Sequence, residues 1–422
     1  MTNKQTIPEG SICGFRLKVK SYPLVPYDLL ETSPRRPDTV HTLVDNLLIH
    51  GWDRHGFSIP SITPPLEWDT NNRSFSCSLH AWEPLTHLLR GISEATSRER
   101  RAQLIKASFI YAYQWIKIYQ LPILNHDLSE IVNYNFKDNP IYAWYDMAVG
   151  QRIYRLAFLL DVICRDPSYS DLTVNILYQS LHFHHSLLNH DQFFKIHSNH
   201  GLYQALGQLA AAKRFAHIDA ISHECLVHSK SRLSALIREH FTNDNVHKEH
   251  SPGYHWMILG SLIGSRVTNL ITESSLSQVV DGMEEAMVWM IKPNNHIVTF
   301  GDSDPRKMIT GTVRAQRFKD LALQAITSNG DIGVFPKPGV RAYYTAGYAF
   351  ARLYSANVEQ QFDKYSYLAQ NAGFHSRVHK HADHLTFVWF DKMRDILIDP
   401  GRYAYAGRTE RYKPRARGKA LP

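Results

Sequence analysis

Asn199 and His200 are adjacent residues whose side chains and position suit a functional site. They stand side by side in HSNHGLYQALG, at the start of a run with helical periodicity. The N–H groups of a helix N-terminus, with an amide and an imidazole beside them, favour a bound carboxylate. An Asn at such a position is as often only a helix N-cap. The pair therefore predicts either an anion site or a simple cap.

Two further segments place polar side chains where packing would favour apolar ones. In KEHSPGYHW, ahead of a strongly apolar helical pattern, the polar residues are Glu249, His250, Tyr254 and His255. A tyrosine here, taken alone, is more often a packing residue with a satisfied hydroxyl. In AWYDMAVGQR, one predicted helix carries Trp144, Tyr145, Asp146 and Arg152. The alternative for this helix is an aromatic core face with a surface ion pair.

The most unusual stretch is HSRVHKHADHLTFVWFDKMRDILIDPG, which crowds four histidines into ten residues: His375, His379, His381 and His384. If this stretch is a strand, His379 and His381 share one face because side chains alternate. Asp399, from the paired strand, could then meet them. Two His and one Asp, with a further ligand, would suit Zn²⁺. A solvent-exposed histidine patch is the alternative.

The elements that must position these residues change character along the chain. Residues 1–78 read as an irregular arm with one helix near 38–50. Residues 79–335 show helical periodicity, with predicted helices at 80–95, 98–119, 140–166, 170–190, 199–217, 219–242, 252–271, 276–291 and 317–328. Long helices with short links allow a bundle, a solenoid or an α/α toroid. Residues 336–422 begin a β domain with a tight turn at 391–395, and its strand pattern stops early, which predicts a truncated domain.

Composition narrows the class of protein. The 422 residues are 44% hydrophobic and 20% charged, as in an ordinary globular protein. The net charge of +8 would suit an acidic polymer, but much of it lies in the last dozen residues. The four cysteines form no CxxC pair, and no P-loop, GxGxxG or GxSxG occurs, which disfavours zinc on sulfur and phosphate, dinucleotide or α/β-hydrolase chemistry. No apolar run is long enough for a membrane span, and the N-terminus shows no signal-peptide pattern.

Taken together, the segments resemble the heparinase II/III and alginate-lyase superfamily. The matching elements occur in the family's order over roughly 80–405: packing around His80–Leu89, AWYDMAVGQR, SNHGLYQALG, EHSPGYHW, FGDSD at 300–304, and HKHAD followed by IDPGRYAY. The resemblance implies a mainly α chain with a β C-terminal part. The expected architecture is an incomplete α/α toroid followed by a partial antiparallel β-sandwich.

The same resemblance implies a polysaccharide lyase. Its substrate would be an acidic polysaccharide containing uronic acid, glycosaminoglycan or alginate-like, cleaved by β-elimination. Asn199 and His200 match the pair that neutralises the uronate carboxylate. Tyr254 matches the tyrosine that acts as acid, or as both base and acid. His379 matches the base for the opposite epimer.

A metal and a set of substrate contacts are also implied. His381 and Asp399 match two ligands of a structural zinc, whose third ligand, usually a His in an HNT-like segment, is missing from this sequence. No organic cofactor is expected. The predicted substrate-binding residues are Trp144, Tyr145, Arg152, His250 and His255.

Two other functions fit the residues. An inverting glycoside hydrolase on an α/α toroid would need two carboxylates, for which Asp146, Glu249 and Asp302 are candidates. An inactive polysaccharide-binding remnant is the second alternative. In each case the expected partner is a polysaccharide, with no nucleic acid and no membrane span. Relatives are commonly exported, so the periplasm or cell envelope, secretion and the cytoplasm all stay open, as does the oligomeric state.

Overall fold

The computed structural model describes residues 9–25, 37–54, 56–123, 128–134, 141–354, 362–375 and 379–402. They form two compact units, the first reaching Leu236 and the second starting at Ile237. The change from helix to strand lies where the sequence predicted it, since the C-terminal sheet begins at Gly339. The compact units divide about a hundred residues earlier, at Leu236, so the last helices belong with the sheet.

The first unit is almost entirely helical. Its helices are α1 Glu9–Ser21, α2 Pro37–His50, α3 Arg73–His80, α4 Leu85–Glu94, α5 Arg98–Trp115, α6 Leu128–Val132, α7 Asp146–Arg165, α8 Asp171–Asn189, α9 Asn199–Phe215 and most of α10 Ala220–His240. A π-helical turn, Ile116–Gln120, extends α5, and a short hairpin pairs β1 Trp52–Arg54 with β2 Phe57–Ile59. The long helices from residue 98 onward follow the predicted ranges closely.

The N-terminal arm is more ordered than the sequence predicted. The expected helix near 38–50 is present as α2, but α1 was not predicted. Ile12, Phe15 and Val19 recur at helical spacing and are all buried. The Phe15 ring contacts those of Tyr178 and Phe215, at centroid distances of 4.7 and 5.5 Å. The arm is therefore helical because these apolar side chains pack on α8 and α9.

Helices α7 and α9 cross in direct backbone contact. A Cβ on Gly207 would lie 1.8 Å from the carbonyl oxygen of Gly150, and a Cβ on Gly150 would lie 2.7 Å from the backbone of Gln204. Neither position accepts a side chain without separating the two helices. The crossing brings the first turn of α7, at Asp146, next to the first turn of α9, at His200.

Beyond the end of α10, the described residues of the second unit form four α-helices and a five-stranded sheet. The helices are α11 Pro252–Val267, α12 Ser274–Trp289, α13 Thr312–Ala315 and α14 Leu321–Ser328. The strands are β3 Gly339–Tyr343, β4 Tyr348–Leu353, β5 Ser366–Asn371, β6 Thr386–Asp391 and β7 Arg394–Leu397. All neighbours are antiparallel in the order β3-β4-β5-β6-β7. The mainly helical chain with a C-terminal antiparallel sheet confirms the predicted fold class.

Side chains alternate across this sheet. Phe350, Tyr367 and Phe390 point to the buried face, whereas Phe387 and Trp389 on the opposite face are 46% and 42% exposed. A face this apolar is typical of one layer of a sandwich. Among its described residues, the second unit contains no other sheet that could cover this face.

The predicted turn at 391–395 is confirmed, because β6 and β7 form a hairpin with left-handed residues at Lys392 and Met393. The prediction that His379 and His381 share a strand face was wrong. Both lie in the loop before β6, and His379 has a left-handed backbone with φ of 53°. Asp399 likewise follows β7 and is not part of it. None of the described helices is long and apolar enough to cross a membrane.

Candidate active site

His200 is held at the start of α9 by a carboxylate from α7. The Nδ1 atom of His200 lies 2.9 Å from Oδ1 of Asp146. Ser198 is the N-cap of α9, and its hydroxyl accepts a hydrogen bond from the His200 N–H at 3.2 Å. Since an ionised carboxylate only accepts, the Nδ1 atom carries the proton. The Nε2 side of the ring is then left for a ligand.

Asn199 and Tyr145 lie beside this histidine. Asn199 is half-buried and is the first residue of α9, so it stands at the helix end that favours anions. The Tyr145 ring meets the His200 ring edge-on, with centroids 5.4 Å apart. Its hydroxyl accepts a hydrogen bond of 2.7 Å from Arg73. Burial and the charge of Asp146 raise the pKa of Tyr145 to about 12, which keeps its hydroxyl neutral.

Arg152 was predicted to bind substrate, and the structure corrects this assignment. Its side chain is 0% exposed. The guanidinium lies 3.8 Å from the Trp115 ring centroid and donates a hydrogen bond of 2.8 Å to Nε2 of His184. Arg152 therefore holds the core of the first unit together and presents no atom to a polymer. Trp144 packs against Trp115 and is only partly buried, so its substrate role stays a prediction.

Tyr254 stands near the N-terminus of α11, which is fixed by two serines. The Ser251 hydroxyl caps the helix by accepting from the Tyr254 N–H at 3.3 Å. It also lies 2.8 Å from the hydroxyl of Ser303, which accepts from the Gly253 N–H at 3.0 Å. The half-buried Tyr254 ring stacks on the His379 ring, with centroids 3.7 Å apart and planes inclined by 24°. The two predicted proton-transfer residues of this unit are therefore in contact.

Asp302 connects both histidines of the HKHAD segment. Its Oδ2 atom lies 2.8 Å from Nδ1 of His379, and its Oδ1 atom lies 2.9 Å from Nε2 of His381. Burial alone would raise the pKa of Asp302, but the hydrogen bonds from the two histidines outweigh it and hold the pKa well below its usual value. Burial likewise lowers the pKa of His381, and Asp302 overcomes this and raises it. Asp302 is thus an ionised acceptor that orients both rings.

The residue before Asp302 must be a glycine. Gly301 has φ of 55°, and a Cβ there would lie 2.5 Å from the His379 carbonyl oxygen. The Asp302 N–H donates to that same carbonyl at 3.1 Å. FGDSD thus places its aspartate against the histidine loop through backbone contacts. Asp302 was considered in the sequence only as a carboxylate of a hydrolase, and its role as the partner of both histidines was missed.

A second carboxylate faces His379 from the other side. The Oε2 atom of Glu249 lies 3.5 Å from Nε2 of His379. With Nδ1 bonded to ionised Asp302, the other ring nitrogen is the one that can accept a proton. A carboxylate on each side would stabilise the imidazolium that such a transfer creates. The arrangement is suited to a general base. No sequence pattern indicated that Glu249 would contact His379.

A pocket of about 500 Å³ opens beside this cluster. Its lining residues include Tyr254, Asp302, Arg306 and Arg402. Arg402 donates a hydrogen bond of 2.9 Å to Asp304, and Arg306 is exposed. The pocket therefore combines two guanidinium groups with the carboxylates of Asp302 and Asp304. Since Arg402 is paired with Asp304, Arg306 is the cation best suited to an anionic ligand.

His250 and His255 were also predicted to bind substrate, and the structure buries both. His255 lies between the His247 N–H, which donates to its Nδ1 at 3.3 Å, and the Met283 carbonyl, 3.0 Å from its Nε2. Burial lowers the pKa of His255 to about 4, so the ring is neutral. The Nε2 atom of His250 accepts from the His375 N–H at 2.9 Å. Both rings are buried inside the unit, and neither is placed to contact a polymer.

The zinc ligands implied by the resemblance do not form a set among the described residues. Nε2 of His381 is 2.9 Å from Asp302, and Oδ1 of Asp399 accepts from the Gly401 N–H at 2.9 Å. Burial raises the pKa of Asp399 to about 6. In the described part of the chain, a different trio of side chains brings three potential ligand atoms together. We therefore derive no step through a metal at His381 and Asp399.

Comparisons with known proteins agree with this architecture. Solved structures with a similar fold include the heparan sulfate lyase HepC from Pedobacter heparinus, at 19% identity and a TM-score of 0.65 over 95% of this chain. A heparinase III structure matches at 13% identity and a TM-score of 0.69 over 93% of this chain. This chain spans 62% and 63% of the lengths of those two. No curated protein sequence matches.

A family model gives the assignment. The model described as the heparinase II/III N-terminus matches residues 80–322. The match runs from the end of α3 to the start of α14, and it includes the His200 and Tyr254 segments and Asp302. The chain belongs to the heparinase II/III family.

Proposed function

We propose that this chain is a polysaccharide lyase acting on an acidic, uronic-acid-containing polysaccharide, either a glycosaminoglycan or an alginate-like polymer. The reaction is β-elimination of the glycosidic bond at C4, which leaves a 4,5-unsaturated uronate. The observation that carries the proposal is the Tyr254–His379–Asp302 arrangement, in which an ionised carboxylate orients the imidazole on which the phenol ring stacks. Membership of the heparinase II/III family supports the same chemistry.

In this proposal His379 is a base for the C5 proton. Asp302 holds the proton on Nδ1, so that Nε2 keeps a lone pair for proton abstraction. When the ring becomes an imidazolium, the carboxylates of Asp302 and Glu249 lie on either side of it. Asp302 is a positioning residue in this scheme, because it acts through the histidine and not on the sugar.

Tyr254 is the proposed acid for the departing O4 oxygen. Tyr254 lines the same pocket as Asp302. For a substrate whose C5 proton and leaving group lie on one side of the ring, the same hydroxyl would remove the C5 proton before protonating O4. A single tyrosine or a tyrosine–histidine pair would then serve the two uronate epimers.

Asn199 and His200 are proposed to neutralise the uronate carboxylate. Removal of the C5 proton is difficult because that carboxylate must accept negative charge, and fixed donors lower this barrier. Asn199 supplies an amide at a helix N-terminus, and His200 is oriented by Asp146. Asp146 is therefore a second positioning residue.

The test is the mass of the products formed from heparan sulfate, chondroitin sulfate, hyaluronan and alginate. Elimination predicts fragments whose masses add up to that of the substrate, with one fragment carrying the unsaturated uronate. Hydrolysis would add one water per cut and would favour the inverting glycoside hydrolase. Binding of a polymer without cleavage would favour the inactive remnant.

A further inference from the structure

Three buried side chains lie close together in the second unit: His240, His247 and Glu249, the last of which also flanks His379. One potential ligand atom from each lies within 4.8 Å of the other two, and all three residues are buried. An ion at the centre of such a triangle would be at most about 2.8 Å from each atom. Side-chain movements of less than about 1 Å would reach the roughly 2.0–2.2 Å typical of zinc bonds to nitrogen and oxygen.

The backbone around the trio is pre-organised. His240 is the last residue of α10, and the chain turns back at once through 241–247. The Thr242 N–H donates to the Val246 carbonyl at 2.9 Å, and the Lys248 N–H donates to the His240 carbonyl at 2.9 Å. This turn holds the His240 and His247 ring centroids 5.8 Å apart. The two imidazoles are thus brought together by the fold and not by flexible surface side chains.

His247 supplies the second, independent observation. Its side chain is 3% exposed, and its Nδ1 atom has no hydrogen-bond partner among the described residues. Buried polar atoms are nearly always satisfied, so an unpaired imidazole nitrogen calls for an explanation. A metal ion bonded to the ring would supply the missing partner.

We propose that His240, His247 and Glu249 form a zinc site in the second unit. Two imidazoles and one carboxylate are a ligand set that Zn²⁺ favours, with water as a fourth ligand. The ion would tie the end of α10 to the segment that leads into α11 and Tyr254. The proposal does not rest on the lyase reaction, and the site is distinct from His381 and Asp399.

The experiment is a zinc titration of the full chain without a histidine tag, after removal of bound metals by a chelator. We expect one Zn²⁺ per chain from ZnCl₂ against a colorimetric competitor. His247→Ala and Glu249→Gln should bind at least about tenfold more weakly, since loss of even an outer-shell partner costs about 10–100-fold. The matched control is His296→Gln, which removes a partly buried histidine of the same unit outside the trio and should bind as the wild type does.

Two results would overturn the proposal: no zinc binding by the wild type, or equal binding by His247→Ala. Circular dichroism shows whether each variant is folded. If a variant unfolds, the anomalous signal of a zinc-soaked wild-type crystal decides the question. A peak between His240, His247 and Glu249 supports the site, and a peak at His381 and Asp399 or none at all refutes it.

Discussion

Replacing Asp302 by Asn tests whether this carboxylate orients His379. The substitution keeps the shape of the side chain and removes the charge that accepts from His379 at 2.8 Å and from His381 at 2.9 Å. A hydrogen bond to a charged group is worth about 1.5–3 kcal/mol. At about 1.4 kcal/mol per tenfold change in rate, loss of the bond to His379 predicts a kcat lower by roughly 10–100-fold.

The assay is the initial rate of unsaturated uronate formation, followed by ultraviolet absorbance. Because Asp302 acts through His379 and not on the sugar, KM should stay within about twofold of the wild-type value. The matched control is Asp281→Asn, since Asp281 also bridges two cationic groups, Arg266 at 2.7 Å and Lys319 at 3.1 Å. Full kcat in Asp302→Asn, or an equal loss in the control, would show that Asp302 does not act by orienting His379.

Three further predictions follow from the packing, burial and charge of other residues. Gly207→Ala should lower the free energy of unfolding by about 3 kcal/mol in a denaturant titration, because its Cβ would lie 1.8 Å from a backbone carbonyl oxygen; an unchanged midpoint would contradict the helix crossing. Burial lowers the pKa of His185 to about 3 from 6.5, so its contribution to stability is complete above pH 6.5 and is lost as the pH falls toward 3. His185→Leu should therefore unfold at lower pH than the wild type in an acid titration, whereas His184→Leu, which removes the partner of an arginine, should be less stable than the wild type at neutral pH. Arg306→Ala should raise KM several-fold at unchanged kcat and make KM depend less on salt concentration, as expected for an exposed cation in the pocket. An equal effect of Arg394→Ala, outside the pocket, would show a general charge effect instead.

Periodicity predicted the long helices well because their apolar residues recur at a fixed spacing. It missed α1, where three buried apolar residues share a short segment with lysines and glycines. It also placed His379 and His381 on a strand, since alternating histidines look the same in a strand and in a loop. The left-handed backbone at His379 packs closely against Gly301, about 80 residues earlier in the chain.

The candidate site was predictable where a residue follows a helix start, as with Asn199, His200 and Tyr254. Burial was harder to foresee. Arg152 looked like a surface cation, yet the fold encloses it among three tryptophans. The contacts of Asp302 and Glu249 with His379 join segments that are distant in sequence, and a local sequence pattern cannot predict such contacts.

In the proposed function, Tyr254 and its neighbours carry out β-elimination on a uronate. The most direct measurement compares wild type and Tyr254→Phe for the ultraviolet absorbance of products from heparan sulfate, chondroitin sulfate, hyaluronan and alginate. If Tyr254 is the acid, absorbance should rise for the wild type on at least one polymer, and the phenylalanine variant, which keeps the ring stacked on His379, should give almost none. Equal rates for the two proteins, or cleavage by the wild type without unsaturated product, would contradict it.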